Sequence, residues 1–320
     1  MNIRAALKRK ALLITYVRQL RDRINLFLFD DLSFKVKKYH KTHGRTPNLE
    51  NPQSYTEKML WSSENYRDNR FVWYADKYLV REHVKRIIGE QFLIPLYDVV
   101  DNARQLDFEK YPNRFVLNAT HGSNMVMLCN DKADFDEKKA KAVVKMWLRS
   151  NYYYSFREWH YKYIKPRVIV MQNIASPDGT PPWDYKFFCF NGKPVIVSLD
   201  LERFGNISKR NIYDMEWNQM KDIRVSRPQD FTKTYPKPQN FDLMKELAEK
   251  LSKEFEHVRV DFYNIDGKIY FGELTFLHAA AGVVGNITPW EFDLKLGEYY
   301  QLPPRNIEGW KYAGESSMNE

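Results

Sequence analysis

The sequence predicts an α+β fold in which two α+β lobes follow a small helical N-terminal region, and three observations carry that expectation. Strand-like and helix-like segments mix along the chain without the strict β-α-β alternation of a parallel sheet. Turn residues separate strand-like pairs at Asn191-Gly192 and at Asn264-Ile265-Asp266-Gly267, the mark of antiparallel hairpins. The 320 residues, 43 % hydrophobic and 28 % charged, suffice for two or three lobes around sizeable cores and do not have the composition of a disordered chain.

Taken in order, residues 1–34 set Arg4, Lys8, Arg9, Lys10, Arg18, Arg21 and Arg23 among Leu7, Leu12, Leu13, Ile14, Val17 and Leu20. This pattern predicts a basic amphipathic helix. Its apolar run, interrupted by Arg18, is too short to span a bilayer, and no small-residue cleavage site follows. Docking on the protein's own body and lying on an anionic membrane face both stay open. Thr46-Pro47-Asn48 and Asn51-Pro52 lead into a helix start at Ser54-Tyr55-Thr56-Glu57-Lys58, and residues 74–88 read as a second helix ended by Gly89. Residues 114–117 and 125–129 read as strands around the polar loop Thr120-His121-Gly122-Ser123-Asn124. A helix with Ala140, Val143, Val144, Trp147 and Leu148 on one stripe follows the capping candidates Asp134 and Asp136. Strands over 167–174, 184–190 and 194–199, a helix bearing Met244, Leu247, Ala248, Leu251 and Phe255, and two last strands complete the series. The expected regions are 1–45, 46–98, 99–166, 167–303 and a tail at 304–320.

The formal net charge of +9 favours anionic partners such as nucleotides, acidic sugars or an anionic membrane surface. A nucleic-acid partner is not expected, because the basic residues are scattered and no recognition motif accompanies them. Cys129 and Cys189 lie in apolar contexts without metal spacing and read as packed thiols of a reducing compartment. A cytoplasmic protein, peripheral at the inner membrane face if the N-terminal helix touches lipid, fits these features.

The chemistry concentrates in the last two strands. Over 257–263, Val258, Val260 and Phe262 face one side while His257, Arg259, Asp261 and Tyr263 face the other; over 268–276, Glu273 and Thr275 share a face. Whether Asp261 meets Glu273 depends on register. A three-residue loop, 265–267, pairs Asn264 with Lys268, sets Arg259 opposite Glu273 and Asp261 opposite Phe271, and gathers the four polar residues on one surface. A two- or four-residue loop puts the carboxylates on opposite faces. Two carboxylates beside a hydroxyl are hard oxygen ligands suited to Mg²⁺ shared with phosphates, with Arg259 to neutralise a phosphoryl group. A solvated sheet face carrying an Arg–Glu ion pair is the plainer alternative.

Arg259-Val260-Asp261-Phe262 followed by Gly272-Glu273-Leu274-Thr275 resembles the Arg-x-Asp and Glu-x-Asn strands of ATP-grasp ligases. More specifically, the chain resembles the TupA-like ATP-grasp family of bacterial surface-polysaccharide gene clusters. The matching pieces run in order: residues 51–61, Asp76-Lys77 with Val80-Arg81, Phe115-Val116-Leu117 before His121-Gly122-Ser123, Asp184-Tyr185-Lys186-Phe187 with 189–193, Tyr213-Asp214 with Trp217, and 259–276. The resemblance implies an ATP-grasp fold clasping a nucleotide between its lobes, with ATP and Mg²⁺ as cofactors. Asp261, Glu273 and Thr275 correspond to the Mg²⁺ ligands, and Arg259 to a phosphate-contacting residue. His121-Gly122-Ser123 corresponds to the loop over the phosphates, whose N–H groups form an anion nest.

Two departures fall on the nucleotide side. Asn118 stands where the family usually has lysine and Asn124 where it has glycine, while Met171 and Gln172 stand near the usual adenine-binding glutamate. Lys77, Lys132 and Lys186 are the candidates to restore the missing charge, and Gln172 still offers hydrogen bonds. The implied activity is an ATP-dependent carboxylate–amine ligase, in which a small or sugar-linked carboxylate is activated as an acyl phosphate and taken by an amine, within capsule or cell-surface polysaccharide biosynthesis. A polysaccharide-cluster glycosyltransferase and a degenerate, non-catalytic ATP-grasp domain are the alternatives. Of the remaining polar residues, Asp200, Glu202, Arg203, Lys209 and Arg210 read as a solvated loop or an acceptor grip. His278 reads as packed or near the acceptor, and the aromatics between Tyr152 and Tyr161 as interface packing.

Overall fold

The computed structural model describes residues 29–201 and 208–319. The basic helix expected over 1–34 therefore lies almost wholly outside the described residues, as do Glu202 and Arg203. Helix α1 (Asp31–His43) starts where the Asp30 carboxylate accepts from the Ser33 N–H at 2.8 Å and stops where Gly44 turns left-handed at φ 71°. Helix α2 (Tyr55–Asn65) opens with a capping box between Ser54 and Glu57, at the start expected from sequence. The single helix read over 74–88 is two, α3 (Asn69–Ala75) and α4 (Val80–Ile87). Asp76 breaks it, because its carboxylate accepts from the backbone N–H groups of Tyr78 (2.8 Å) and Leu79 (3.3 Å) and so competes with the helical ladder. Gly89, at φ 105°, follows α4 and donates to the Lys85 carbonyl.

The first lobe holds β1 (Leu96–Val100), β2 (Phe115–Ala119), β3 (Val126–Cys129) and β4 (Val168–Gln172) in the order β1-β4-β2-β3, every pair antiparallel. Strand β4, assigned from sequence to the second lobe, pairs with β1 and β2, so the boundary falls after Gln172 and not at 167. Helix α5 (Glu137–Trp147) is capped by Asp136, which accepts from Lys139 N at 2.9 Å. Alternation along β2 sends Phe115, Leu117 and Ala119 into a core with Val168, Val170, Ala140 and Val144, and leaves Val116 and Asn118 on the opposite face. A short helix, α6 (Tyr153–Phe156), precedes β4.

The second lobe contains β5 (Asp184–Phe190), β6 (Lys193–Asp200), β7 (Arg210–Tyr213), the short β8 (Arg224–Val225), helix α7 (Phe241–Ser252), β9 (His257–Ile265), β10 (Lys268–Thr275), β11 (Ile287–Thr288) and helix α8 (Trp290–Tyr299). Its main sheet runs β10-β9-β5-β6-β7, again all antiparallel, while β8 pairs with β11. One face packs Tyr185, Phe187, Val258, Val260 and Phe262 against Met244, Leu247 and Leu251 of α7. Each such side chain stabilises the lobe by roughly 1.5–3 kcal/mol on burial. The other face is divided. Phe188, Phe190 and Ile196 meet Tyr55 and Met59 of α2 and Leu296 of α8, whereas Asp184, Lys186, Arg259 and Asp261 occupy the half beside the first lobe. Both cysteines are buried and unpaired. Among the described residues no helix is long and apolar enough to cross a membrane.

The β9–β10 register differs from the expected one and still brings the carboxylates together. Lys268 pairs with Ile265, so the loop is two residues, Asp266 (φ 50°) and Gly267 (φ 87°), a turn with both φ values positive. Continued unchanged, that register would set Glu273 opposite Val260 on the apolar core face. A bulge prevents this: Phe271 pairs with Phe262 and Glu273 with Asp261, leaving Gly272 as the extra residue. A Cβ on Gly272 would lie 3.1 Å from the Asp261 carbonyl oxygen, which is why the bulge carries glycine. Gly272→Ala is expected to cost about 1–3 kcal/mol through overpacking, measured by urea unfolding. An unchanged midpoint would show that the bulge accepts a side chain freely.

Candidate active site

Two cavities meet between the lobes. The first, a cleft of ≈ 160 Å³, has the outward face of the first sheet as its apolar wall (Val116, Val126, Leu128, Met171) and Asp261, Gly272 and Glu273 of the second lobe across from it. Lys77, Asn118, Ser123, Asn124 and Gln172 also line it. The second, a more polar chamber of ≈ 390 Å³, is bounded by Tyr152, Glu158 and Tyr161 from the first lobe and by Lys186, Asp200, Arg210, Arg259, Thr275 and His278 from the second. Ser123, Asn124, Asp184 and Glu273 line both cavities, so the two share a boundary at the Ser123-Asn124 loop and the carboxylates of β5 and β10.

The polar side of β9 is not solvated: Arg259 is 7 % and Asp261 1 % exposed. Arg259 holds Asp261 in bidentate fashion, Nε to Oδ1 at 2.7 Å and Nη2 to Oδ2 at 2.6 Å. Nη2 also donates to Glu273 Oε1 (3.2 Å) and Thr275 Oγ1 (2.9 Å), and the Thr275 hydroxyl donates on to Glu273 Oε1 at 3.3 Å. Lys186 Nζ lies between Asp184 Oδ2 (2.5 Å) and Asp261 Oδ2 (2.6 Å). Burial works against the Lys186 ammonium, but Asp184 and Asp261 outweigh it and hold its pKa above the usual lysine value. Burial also pushes Asp261 up, with Arg259 and Lys186 pulling the other way. His278 Nδ1 accepts from Arg259 Nη1 at 2.7 Å; burial, then the Arg259 charge, keeps this imidazole well below the usual histidine range and therefore neutral.

The residues singled out from sequence divide accordingly. Arg259, Asp261, Glu273, Thr275 and Lys186 form one connected network; Lys77, Asn118, Ser123 and Gln172 line the cleft. His121 and Gly122 line neither cavity. The His121 ring is buried and its Nε2 is bonded to the Trp147 carbonyl at 2.9 Å, which ties it to the end of α5. Gly122 contributes its carbonyl, which accepts from Lys77 Nζ at 3.0 Å. Lys186 lines the chamber and not the cleft, so of the three candidate lysines Lys77 is the one at the nucleotide side, with Nζ 3.4 Å from Glu273 Oε2. Asn124 adopts φ 60°, the left-handed form that glycine takes readily and asparagine tolerates.

The solvated-loop reading of Asp200 and Arg210 does not hold. They are 7 % and 5 % exposed and joined by Arg210 Nε and Nη2 to both Asp200 oxygens at 2.5 and 2.8 Å. Glu158, which the sequence reading passed over, is 6 % exposed and lines the chamber. Its one visible signal is being a lone carboxylate in an aromatic run, and that does not separate packing from a cavity wall. Beyond His278, Ala279, Ala280 and Ala281 all have positive φ (49°, 54° and 60°), a conformation costing roughly 1–2 kcal/mol per residue that the chamber wall retains.

The cleft and network fit a magnesium nucleotide. An apolar slot beside Gln172, a cation at Lys77 and two carboxylates paired across strands match base, phosphate and a metal that takes one or two protein carboxylates and shares the phosphates. Among the described residues no group of three or more His, Cys, Asp or Glu is placed to hold a metal ion.

No curated protein matches the sequence. D-Alanine–D-alanine ligase from Helicobacter pylori is 14 % identical, with 79 % of this chain and 68 % of that one covered at a TM-score of 0.40. The ADP complex of N5-carboxyaminoimidazole ribonucleotide synthetase is 15 % identical, with 63 % of this chain covered at a TM-score of 0.39; the match spans only 45 % of that synthetase. The ATP complex of D-alanine–D-alanine ligase from Bacillus anthracis is 12 % identical, covering 71 % and 68 % at a TM-score of 0.38. Likenesses this weak say nothing of activity. The family assignment rests on the match of the TupA-like ATPgrasp family model to residues 57–301, most of the chain, and the protein belongs to that family.

Proposed function

We propose that the protein is an ATP-dependent carboxylate–amine ligase that works through an acyl phosphate. The observation that carries this reading is the junction of a largely apolar cleft with a polar chamber at Glu273, which pairs across strands with Asp261. Val116, Leu128 and Met171 would hold the base of ATP, Gln172 would offer its edge a hydrogen bond, and Lys77 with the Ser123-Asn124 loop would meet its phosphates. Asp261 and Glu273 would hold Mg²⁺, which when bound neutralises phosphate charge. Thr275 orients Glu273, and Arg259, fixed by Asp261, faces the transferring phosphoryl group. A carboxylate in the chamber attacks the γ-phosphorus, ADP leaves, and an amine then displaces phosphate from the acyl carbon. Lys186, engaged by two carboxylates, positions Asp261. The family resemblance supports a cytoplasmic step on a component of a capsule or another cell-surface polysaccharide.

Every sheet pairing among the described strands is antiparallel, which disfavours the glycosyltransferase alternative with its β-α-β nucleotide site. The test is release of ADP and phosphate that requires both a carboxylate and an amine. Absence of any Mg²⁺-dependent ATP affinity in the folded protein would leave a degenerate domain. Lys77→Met is expected to weaken ATP binding about tenfold to a hundredfold, as for loss of a hydrogen bond to a charged group. Asn118→Lys should restore affinity in that background more than it raises it in the wild type; an equal gain in both would show that Lys77 does not serve the phosphates.

A further inference from the structure

The chain beyond residue 301, where the match to the family model ends, runs back across the molecule to the nucleotide side of the cleft. Asn306 accepts from the Arg67 N–H at 2.7 Å and donates to the Arg67 carbonyl at 2.8 Å. Ala313 N donates to Asn69 Oδ1 at 3.2 Å, and the Gly314 carbonyl accepts from Trp73 Nε1 at 3.0 Å. These anchors lie on α3 and its approach, and Trp310, Tyr312 and Met318 pack against the second-lobe core. From there Glu315 reaches the first lobe. Its carboxylate accepts from Arg167 Nη2, and Arg167 immediately precedes β4. Arg167 closes a ring of contacts around Lys77. Its Nη1 donates to Asp76 Oδ2 at 3.2 Å, while its carbonyl accepts from Thr120 N at 2.9 Å, and the Thr120 carbonyl accepts from Lys77 N at 3.3 Å. Lys77 is thus tied to one arginine twice, by way of Asp76 and by way of Thr120. Asp76 Oδ1 takes the N–H groups of Tyr78 and Leu79, so the carboxylate that holds Arg167 also sets the turn after Lys77. Asp76 is fully buried and Arg167 is 8 % exposed, and charges attract strongly where water is excluded.

We propose that residues 304–319 are a strap that positions Lys77 toward the nucleotide phosphates, with Arg167 and Glu315 as positioning residues. Glu315 fixes one arm of the planar Arg167 fork and so keeps the other on Asp76. Lys77 is then oriented from outside the part of the chain that the family model matches, in addition to its own contacts with the Gly122 carbonyl and Glu273. A backbone already fixed at Lys77 loses less freedom when phosphate binds, which strengthens binding without any new contact. The inference rests on the reading of Lys77 as the cation that meets phosphate.

The test is calorimetric titration of the full chain with MgADP across a double-mutant cycle. Glu315→Ala is expected to weaken MgADP about threefold to thirtyfold, the range for residues that act on a site through others. The Glu315 side chain is 33 % exposed, so the fold should survive its loss, and the urea midpoint reports this. Glu315→Asp, which keeps the charge, should restore most of the affinity. In a Lys77→Met background Glu315→Ala should change affinity by less than about twofold, because both residues act on the same phosphate contact. A tail with a merely structural role would weaken both backgrounds alike. The proposal is overturned if Glu315→Ala binds as wild type, if its effect is equal with and without Lys77, or if Glu315→Asp behaves as the alanine variant. Lys77-dependent MgADP binding that ignores Glu315 sinks this inference and leaves the nucleotide reading standing. Absence of MgADP binding in the wild type removes the nucleotide reading itself, and this inference with it.

Discussion

Glu273→Gln is expected to lower ATP turnover about a hundredfold to a thousandfold, the scale found when one group facing transition-state charge is removed, and to abolish the tightening of ADP binding by Mg²⁺. Of the two carboxylates that line both cavities, Asp184 is buried whereas the Glu273 side chain is 33 % exposed, so Glu273 is the one best placed to reach phosphate and metal. Glutamine keeps a carbonyl oxygen for Arg259 and Thr275, and Arg259 keeps its bidentate hold on Asp261. Stability should therefore change by less than about 1 kcal/mol, within the range of partly exposed substitutions. If the variant still shows wild-type Mg²⁺ dependence in ADP titrations, Glu273 is not a metal ligand and the proposed site is wrong.

Asp261→Ala should behave differently, with a loss of about 3–5 kcal/mol in folding stability read from urea unfolding. Asp261 is 1 % exposed, and both its oxygens bind cations, Arg259 at 2.6 and 2.7 Å and Lys186 at 2.6 Å. Deleting it leaves two neighbouring buried cations short of countercharge, which costs far more than the pair contributes relative to an apolar replacement. Adding Lys186→Met to Asp261→Ala should recover part of the loss, because it removes one of the stranded charges. Wild-type stability in the single variant would mean that water reaches the network and screens it. Together the two carboxylate variants separate a partly exposed residue of the cavity boundary from a buried one that holds Arg259.

Much of the fold was legible because short-range chemistry decides it. Ser54 with Glu57, Asp136 before α5, Gly89 after α4 and the Asn191-Gly192 turn each act within a few residues, and the structure has them in those roles or positions. The break at Asp76 was missed although its signal is local, since a carboxylate that caps two later N–H groups also occurs on exposed helix faces. The lobe boundary was misplaced for another reason. β4 follows β3 by two helices and a long connection, and no pattern within a strand states which neighbours it will pair with. The β9–β10 carboxylates were brought together as expected but by a different route, a two-residue turn corrected by a bulge at Gly272. Asn-Ile-Asp-Gly is compatible with either loop length. The choice is made by the cost of burying Glu273 in the apolar core, which only the packed sheet imposes.

The sequence by itself determined which side chains share a face within a regular stretch of strand, because successive residues of an extended backbone point to opposite sides. It thereby set Arg259 with Asp261 on one strand and Glu273 with Thr275 on the next and, through ordered motifs, pointed to the family, while the bulge at Gly272 decided that the two pairs share a surface. Tertiary structure decided what lies across from that face. Alternation is the same whether a polar side meets water or protein, so the burial of Arg259 and Asp261, the pairing of Asp200 with Arg210, the placing of Lys77 at the cleft and the isolation of Glu158 all depend on how two lobes close over one another. Electrostatic strength depends on exclusion of water, and that exclusion is produced by residues far apart in the chain.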